Sequence, residues 1–339
     1  MEKVLVAMSG GVDSSVAAAL LLDKGYEVEG ATMLLHEGAG AEAAVRDAER
    51  VCAVLGIPHR VLDLRIPFAR RVMEPFLEEY LRGRTPNPCM YCNREIKFGR
   101  FYAAAKAAGF DRIATGHYAR IEGGLVRRPE QAKKEQTYVF ALVERTVLAD
   151  LLLPCGAYLK EEIRAAARRY QLPVAEKADS QEICFIEDND YAGWIERRRG
   201  VLPDGEFVDE SGAVLGRHRG IIHYTIGQRK GLGLALPEPR FVGRIDVAAN
   251  RVVLVPPERL YSREMGLSAL NLHLPLEEGE VVLAQPRYNA KPAPARFFHA
   301  EGGARIVFDE AQRALTPGQV AALYRGDTLA GGGVIDAVV

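Results

Sequence analysis

No window of this chain approaches the run of about eighteen uninterrupted apolar residues that a membrane span requires. The opening Met1-Glu2-Lys3 passes straight into Val4-Leu5-Val6-Ala7-Met8, without the layout of a secretory signal, so a cytoplasmic protein with no membrane partner is expected. Five cysteines in 339 residues are too few for a disulfide framework. In a reducing compartment their Cys-x-x-Cys spacing points instead to redox, metal or catalytic sulfur. Neither sign of charge is in excess, with 44 Lys and Arg against 45 Asp and Glu, so net charge gives no argument for nucleic acid. Two segments nevertheless lack acidic residues: 216–237 carries Arg217, His218, Arg219, Arg229 and Lys230, and 281–300 carries Arg287, Lys291 and Arg296. Internal repeats and low-complexity tracts are also missing.

What is present is an ordinary globular composition, 48% hydrophobic and 26% charged, in a chain too long for a single core. Up to about residue 111, short apolar runs alternate with helical-period segments, the pattern of a parallel α/β sheet. Strands are expected at 4–8, 27–35, 59–64 and 112–119, and helices at 14–24, 41–55, 67–81, 98–108, 138–153 and 160–170. Gly56 marks the end of the second helix. Segment 82–97, with Pro86, Pro88, Cys89 and Cys92, reads as a long irregular loop, a kind of segment that is usually functional or disordered. Beyond Trp194 and Glu196-Arg197-Arg198-Arg199-Gly200 the pattern turns to short strands with turn signals. A β-rich unit at 207–255 and a second, barrel-like one at 281–339 follow. The expected architecture is α/β: a Rossmann-like nucleotide-binding domain over 1–200, a small β-rich central domain over 201–262 and a C-terminal β-barrel domain over 263–339.

Ser9-Gly10-Gly11-Val12-Asp13-Ser14-Ser15 falls between the first strand and the first helix, where backbone amides and the helix dipole make an anion site. A Walker A loop would need a longer glycine spacing and a lysine before Ser/Thr, and has neither here. A glycine turn capped by Ser14 or Asp13 would be the bland explanation. The segment resembles the Ser-Gly-Gly-x-Asp-Ser loop (PP-loop) of the ATP pyrophosphatases, which release pyrophosphate and pass AMP to an acceptor oxygen.

Cys89-Met90-Tyr91-Cys92 lies in the long loop and Cys184 far away in Asp179-Ser180-Gln181-Glu182-Ile183-Cys184-Phe185-Ile186. Three readings compete. Structural zinc normally takes four ligands, often from two such knuckles, and only one knuckle exists. The three thiolates Cys89, Cys92 and Cys184 could hold a 4Fe–4S cluster with one iron open. Alternatively, one cysteine carries a persulfide whose terminal sulfur attacks an activated carbon while a second thiol resolves the product. Cys52, on the apolar side of a helix, reads as core, and Cys155 as a turn residue.

These residues also carry a resemblance. The phosphate loop, Thr85-Pro86-Asn87-Pro88-Cys89-Met90-Tyr91-Cys92-Asn93-Arg94-Glu95-Ile96-Lys97-Phe98, Ala114-Thr115-Gly116-His117-Tyr118, the segment 179–186, Tyr224-Thr225-Ile226-Gly227-Gln228-Arg229-Lys230-Gly231-Leu232-Gly233 and Thr316-Pro317-Gly318-Gln319 are similar to the bacterial tRNA-specific 2-thiouridylases over essentially the whole chain. The resemblance implies that Cys92 is a nucleophile, that Cys184 carries a persulfide, and that a Cys92–Cys184 disulfide appears during turnover. It further implies that Ala7, Met8, Ser9, Gly10, Gly11, Val12, Asp13 and Ser14, with Met33 and Gly116, hold ATP, and that Mg2+ neutralises the pyrophosphate, with Asp13 as its best ligand or orienter. Asn87, His117, Lys134, Glu135, Gln136, Arg287, Tyr288 and Gln319 would contact the tRNA anticodon loop. A cysteine desulfurase or sulfur-relay protein would supply the sulfur. Cys89 replaces an aspartate frequent in the family, which keeps the cluster in play beside the persulfide.

The implied reaction makes chemical sense. Expelling oxygen from a uracil C2 carbonyl directly would require oxide as a leaving group; adenylating it creates AMP as the leaving group, which sulfur can displace. The wobble base must leave its stack to reach the thiols. The competing readings are a small-molecule synthetase of the ATP pyrophosphatase type, with no use for Cys92 and Cys184, and a non-catalytic RNA-binding module, which would tolerate loss of Asp13.

Overall fold

The computed structural model describes residues 1–129, 134–178, 183–186 and 188–339. Asp179, Ser180, Gln181 and Glu182 of the second cysteine motif lie outside the described residues. Among the described residues no helix is long and apolar enough to cross a membrane.

A five-stranded parallel sheet forms the N-terminal unit, from β1 (Lys3–Ala7), β2 (Glu27–Leu34), β3 (His59–Asp63), β4 (Arg112–Ala114) and, later in the chain, Leu151–Leu152, in the order β3-β2-β1-β4 and then Leu151–Leu152. β1 is central and its residues Val4 to Ala7 are buried, as its unbroken apolar sequence requires of a strand covered on both faces. Helix Val12–Asp23 covers one face, and helix Ala39–Leu55 turns Ala48, Val51 and Cys52 inward and ends at left-handed Gly56. The chain leaves β1 toward β2 on one side and β4 on the other. The crevice at the carboxyl ends of β1 and β4 is therefore the switch point where open α/β sheets bind ligands.

Three expected elements differ. The strand expected over 112–119 stops at Ala114, because Gly116 must run directly against the backbone of Asp13 and Ser14. The helix expected over 138–153 is instead a 3-10 turn, Thr137–Phe140, a short helix, Arg145–Leu148, and the fifth strand of the sheet. Its apolar residues are buried on all sides, so no single helical face was needed. The irregular loop over 82–97 is largely helical. Asn87 caps helix Pro88–Tyr91 by accepting from Cys89 N at 3.1 Å, Pro88 fills the first turn, and the helix continues as a π-helix over Cys92–Phe101.

The hairpin β5 (Arg120–Glu122) and β6 (Leu125–Arg127) leaves the first unit to pair with the C-terminal barrel, Arg127 opposite Thr328. The central unit is a four-stranded sheet from Gly205–Val208, Val214–His218, Phe241–Asp246 and Arg251–Val255. It shares one apolar cluster with Phe76, Cys92, Phe185 and Trp194. The C-terminal unit is a closed barrel of Tyr261–Leu272, Val281–Gln285, Ala293–Ala300, Gly303–Arg313, Val320–Arg325 and Thr328–Val338. Its first strand pairs with both Gly303–Arg313 and Thr328–Val338, which removes the free edges. That first strand was not expected from sequence: register shifts and Ala269 at φ 47° interrupt its alternation.

The barrel is fastened to the first unit by polar contacts that a sliding interface would not have. Asn271 donates to the carbonyls of Ala141 and Val143 at 3.0 and 2.9 Å, and the Tyr138 hydroxyl donates to Val320 O at 2.6 Å. The barrel is thereby held against the segment 138–143 of the first unit.

Candidate functional site

Gly10 has φ 67°, and a Cβ there would sit 2.5 Å from Ala44 O, so only glycine permits the loop to turn against helix Ala39–Leu55. Ser14 Oγ accepts from Ser9 N at 3.1 Å, and Ser15 Oγ donates to Gly11 O at 2.7 Å, closing the loop on itself. Lys177 reaches in from the segment preceding Cys184, donating to Gly10 O at 2.9 Å and pairing with Asp47 at 2.7 Å. Ala7, Met8 and Val12 have buried side chains and can offer a ligand only their backbone. Met33, half-buried at the end of β2, and Gly116 flank the same crevice.

Asp13 is the electrostatic centre. One carboxylate oxygen accepts from the Tyr118 hydroxyl at 2.8 Å and Lys160 Nζ at 2.6 Å, and the other accepts from Lys134 Nζ at 3.1 Å. Two ammonium groups are thus drawn to the mouth of a loop whose amides already favour an anion. Of the two roles expected for Asp13, ligand or orienter, its contacts in this structure are those of an orienter: both its oxygens are engaged by Tyr118, Lys160 and Lys134. The sequence reading missed Lys160 and Tyr118, since a lysine opening a helix looks like any surface charge. It also missed Cys155, whose buried Sγ donates to Asp13 O at 3.3 Å and so braces the loop.

Cys184, 92 positions beyond Cys92, is brought toward it by Phe185, which fills an aromatic cage 5.6 Å from Phe68, 5.5 Å from Phe76 and 5.2 Å from Trp194, ring centre to ring centre. Cys92 borders the same cluster and is buried, while Cys89 and Cys184 are exposed, and all three are free thiols. Desolvation pushes Cys92 up to about 11, opposed by the nearby Lys97 ammonium and reinforced by Cys89. Cys184 is pushed up to about 12, by desolvation of its sulfur and then by Cys92 and Cys89, so each thiol lies within the electrostatic reach of the other two. In this state the enclosing apolar cage wins over Lys97. Lys97 lies one π-turn beyond Cys92, because i→i+5 winding returns the fifth residue to the same face. Among the described residues no three His, Cys, Asp or Glu side chains form a group that could hold a metal ion.

The residues expected to touch RNA fall on three segments, around His117, at 134–136 and on the barrel loops. His117 packs against Phe140 at 5.3 Å, its Nδ1 lies 2.8 Å from Thr115 Oγ1, and desolvation, with Lys97 and Lys134 adding to it, holds it well below its ordinary value and neutral. Gln136 accepts from Tyr118 N at 2.9 Å, and Glu135 accepts from Thr137. Tyr288, from a barrel loop, stands 5.7 Å from the Tyr138 ring and feels the charges of Glu135, Lys134 and Cys89. Gln319 donates to Thr85 O at 2.7 Å, just before Asn87, and Arg287 is exposed beside Tyr288.

Residues 2–188 match the tRNA methyl transferase HUP domain, 193–256 the tRNA methyl transferase PRC-barrel domain and 262–335 the aminomethyltransferase beta-barrel domain. The tRNA-specific 2-thiouridylase MnmA of Carboxydothermus hydrogenoformans is 48% identical over 357 residues, covering 99% of this chain and 98% of the relative. The proteins of the same name from Clostridium botulinum (strain Alaska E43 / Type E3) and Moorella thermoacetica are 46% and 48% identical, covering 100% and 98% of this chain and 99% of each relative. The chain belongs to the tRNA-specific 2-thiouridylase family. In this family member the phosphate loop and the lysine-bound aspartate sit at the carboxyl end of β1.

Proposed function

We propose that this chain is a tRNA 2-thiouridylase, using ATP to activate the C2 oxygen of the wobble uridine and replacing that oxygen with sulfur. Family membership supports the activity, and the mutual electrostatic reach of Cys92, Cys184 and Cys89 is the observation that supports the sulfur chemistry. Residues 7–14, with Met33 and Gly116, would receive ATP, and Lys134 and Lys160 would face its phosphates from Asp13. Asp13 would be the residue to orient a magnesium ion carried by ATP, and Cys89, Cys92 and Cys184 are the thiols that a 4Fe–4S cluster would use; no step is assigned to either. The division into 1–200, 201–262 and 263–339 separates the nucleotide and thiol chemistry from two β-rich units that would seat the RNA, in a cytoplasmic enzyme.

In the first step the uridine O2 attacks the α-phosphorus and pyrophosphate leaves. The terminal sulfur of a Cys184 persulfide then adds at C2, and AMP leaves with the former carbonyl oxygen. Finally the Cys92 thiolate attacks the Cys184 sulfur. The bond between the two sulfurs breaks, its electron pair stays on the substrate as the thiocarbonyl, and a Cys92–Cys184 disulfide remains. An external thiol reduces that disulfide, and a cysteine desulfurase or relay protein reloads Cys184. Asn87, His117, Lys134, Glu135, Gln136, Arg287, Tyr288 and Gln319 would contact the anticodon loop that delivers the base.

The test is direct. Purified protein, ATP, Mg2+, a persulfide donor and unmodified tRNA should yield 2-thiouridine and AMP by nucleoside mass spectrometry. Release of AMP with no thiolated nucleoside would sink the assignment. Gly116→Ala should lower the rate roughly a hundredfold, because a Cβ would lie 2.6 Å from Asp13 C and Ser14 N and must displace the loop. Steady-state kinetics in ATP would show it.

A further inference from the structure

Lys177 joins two parts of the molecule that the sequence keeps far apart, the phosphate loop and the segment that leads to Cys184. Its ammonium lies between Gly10 O at 2.9 Å and the Asp47 carboxylate at 2.7 Å. Asp47 stands on helix Ala39–Leu55 one turn beyond Ala44, the residue against which Gly10 turns, and its side chain is only 14% exposed. The hydrogen bond from Lys177, with help from Arg50, holds its carboxyl below the ordinary carboxylate value against the opposing cost of burial.

Pinning Gly10 O also aims the amide beside it. The peptide between Gly10 and Gly11 is trans, so its C=O and N–H point to opposite sides. Lys177 and Asp47 hold the carbonyl on the side of helix Ala39–Leu55, and the Gly11 amide is thereby turned the other way. Gly11 immediately precedes helix Val12–Asp23, where unbonded amides form an anion cradle. Gly10, at φ 67°, has the left-handed conformation in which successive amides close around an anion. A glycine pair has no side chain of its own to keep this peptide from turning over, and the lysine supplies the constraint.

The lysine is itself held from behind. Helix Lys160–Arg169 places Lys160 and Arg164 one turn apart on one face. Lys160 reaches Asp13, while Arg164 donates to the carbonyls of Ala175 and Lys177, each at 3.2 Å. Lys177 N donates to Val174 O at 3.0 Å, and Leu172 and Val174 are buried in the core that also holds Ile163 and Ala167 of the helix. One helix thus grips the phosphate loop twice, through Lys160 at Asp13 and through the Arg164-held Lys177 at Gly10. From Lys177 the chain has seven residues to reach Cys184, a span of at most about 24 Å. Cys184 is therefore on a short tether whose near end is the phosphate loop.

We propose that Lys177 is a positioning residue that couples the two halves of the reaction: it sets the Gly10–Gly11 peptide for the ATP phosphates and transmits their arrival to the segment carrying Cys184. The proposal rests on the thiouridylase reading of both sites. Phosphate binding tightens the loop, the tightened Gly10 carbonyl holds the lysine, and the tether to Cys184 is drawn in. By linkage, a segment that ATP holds must in turn help to hold ATP.

Lys177→Met, which keeps an unbranched stem and removes the charge, tests it beside Lys177→Arg, with thermal melting as the folding control. AMP formation in the presence of tRNA is followed against ATP concentration. Iodoacetamide labelling of Cys184 is followed by peptide mass spectrometry in the absence of tRNA, with and without ATP and Mg2+. Lys177→Met should raise the KM for ATP roughly tenfold while kcat falls less than about threefold, as expected for loss of one charged hydrogen bond. Lys177→Arg should recover most of that loss. ATP should slow Cys184 labelling about fivefold in the unaltered chain and leave it unchanged in Lys177→Met. A lower melting temperature and less active enzyme with KM unmoved, as a residue that only stabilises the fold would give, would overturn the inference. So would an ATP effect on Cys184 that is absent from the unaltered chain, or equal in both proteins as direct shielding by ATP would make it. In each of these cases AMP formation by the unaltered chain would leave the thiouridylase reading standing. Absence of AMP formation by the unaltered chain would overturn both.

Discussion

Cys184→Ser should form no 2-thiouridine at all, and Cys92→Ser should lose at least about a thousandfold in turnover while still completing the first sulfur transfer, leaving RNA trapped on Cys184. A serine cannot carry a persulfide, so the first variant lacks the sulfur that reaches C2. The second lacks only the thiol that frees the product. Denaturing gels under non-reducing conditions read the difference: a reducible protein–RNA adduct is expected for Cys92→Ser and none for Cys184→Ser. Cys89→Ser should keep most activity and give a colourless, active protein after anaerobic purification. Loss of activity in Cys89→Ser together with iron–sulfur absorbance would assign the sulfur chemistry to a cluster instead.

The thiols also set a pH dependence whose sign follows from their surroundings. Cys92 at about 11 and Cys184 at about 12 both lie above the ordinary thiol value of 9.0, because desolvation disfavours the anion. The folded state thus binds these protons more tightly than the unfolded chain. Their contribution to stability is fully present below pH 9 and is lost as pH rises through 11 and 12. Below that window the thiolate fraction climbs about tenfold per pH unit, so alkylation of both residues by iodoacetamide in the free enzyme should steepen without a plateau between pH 7 and 10. A plateau near pH 8 would mean that Lys97 dominates over the apolar cage. Productive chemistry at neutral pH then depends on the arriving substrate adding its own groups, or on Lys97 closing further on the sulfur.

Much of this site was legible in the sequence because its parts are local. A glycine loop between a strand and a helix can be read from a few residues, and the Asn-Pro before Cys89 is itself a helix-start signal, although the surrounding prolines made the whole segment look irregular. What could not be read is long-range. That Cys184 reaches Cys92 is decided by Phe185 entering a cage built from 68, 76 and 194. That Asp13 gathers Lys134 and Lys160 is decided by how two distant segments cross the sheet's carboxyl edge. The π-winding that brings Lys97 over Cys92 leaves no pattern in composition or spacing. The barrel's first strand and the short fifth strand of the sheet escaped for a related reason: bulges and brevity erase the alternation by which strands are recognised.

Asp13→Asn should reduce adenylation by two to three orders of magnitude, roughly the loss that follows removal of one preorganised charged group from a reaction centre. The side chain keeps its size, and the Cys155 thiol still meets a backbone carbonyl, so the loop should hold its shape. What changes is the charge. A neutral amide cannot balance Lys134 and Lys160, which are bound at 3.1 and 2.6 Å and are each largely shielded from solvent, so the two ammonium groups separate and no longer face the phosphates together. The AMP-forming half-reaction, followed by AMP release from ATP in the presence of tRNA, should therefore fall while iodoacetamide labelling of Cys92 and Cys184 keeps its pH profile. Asp13→Glu, which restores the charge one methylene too far out, should recover part of the rate. If Asp13→Asn left AMP formation intact and instead altered the thiols, the carboxylate would belong to the sulfur step and the separation between nucleotide and sulfur chemistry drawn above would be wrong.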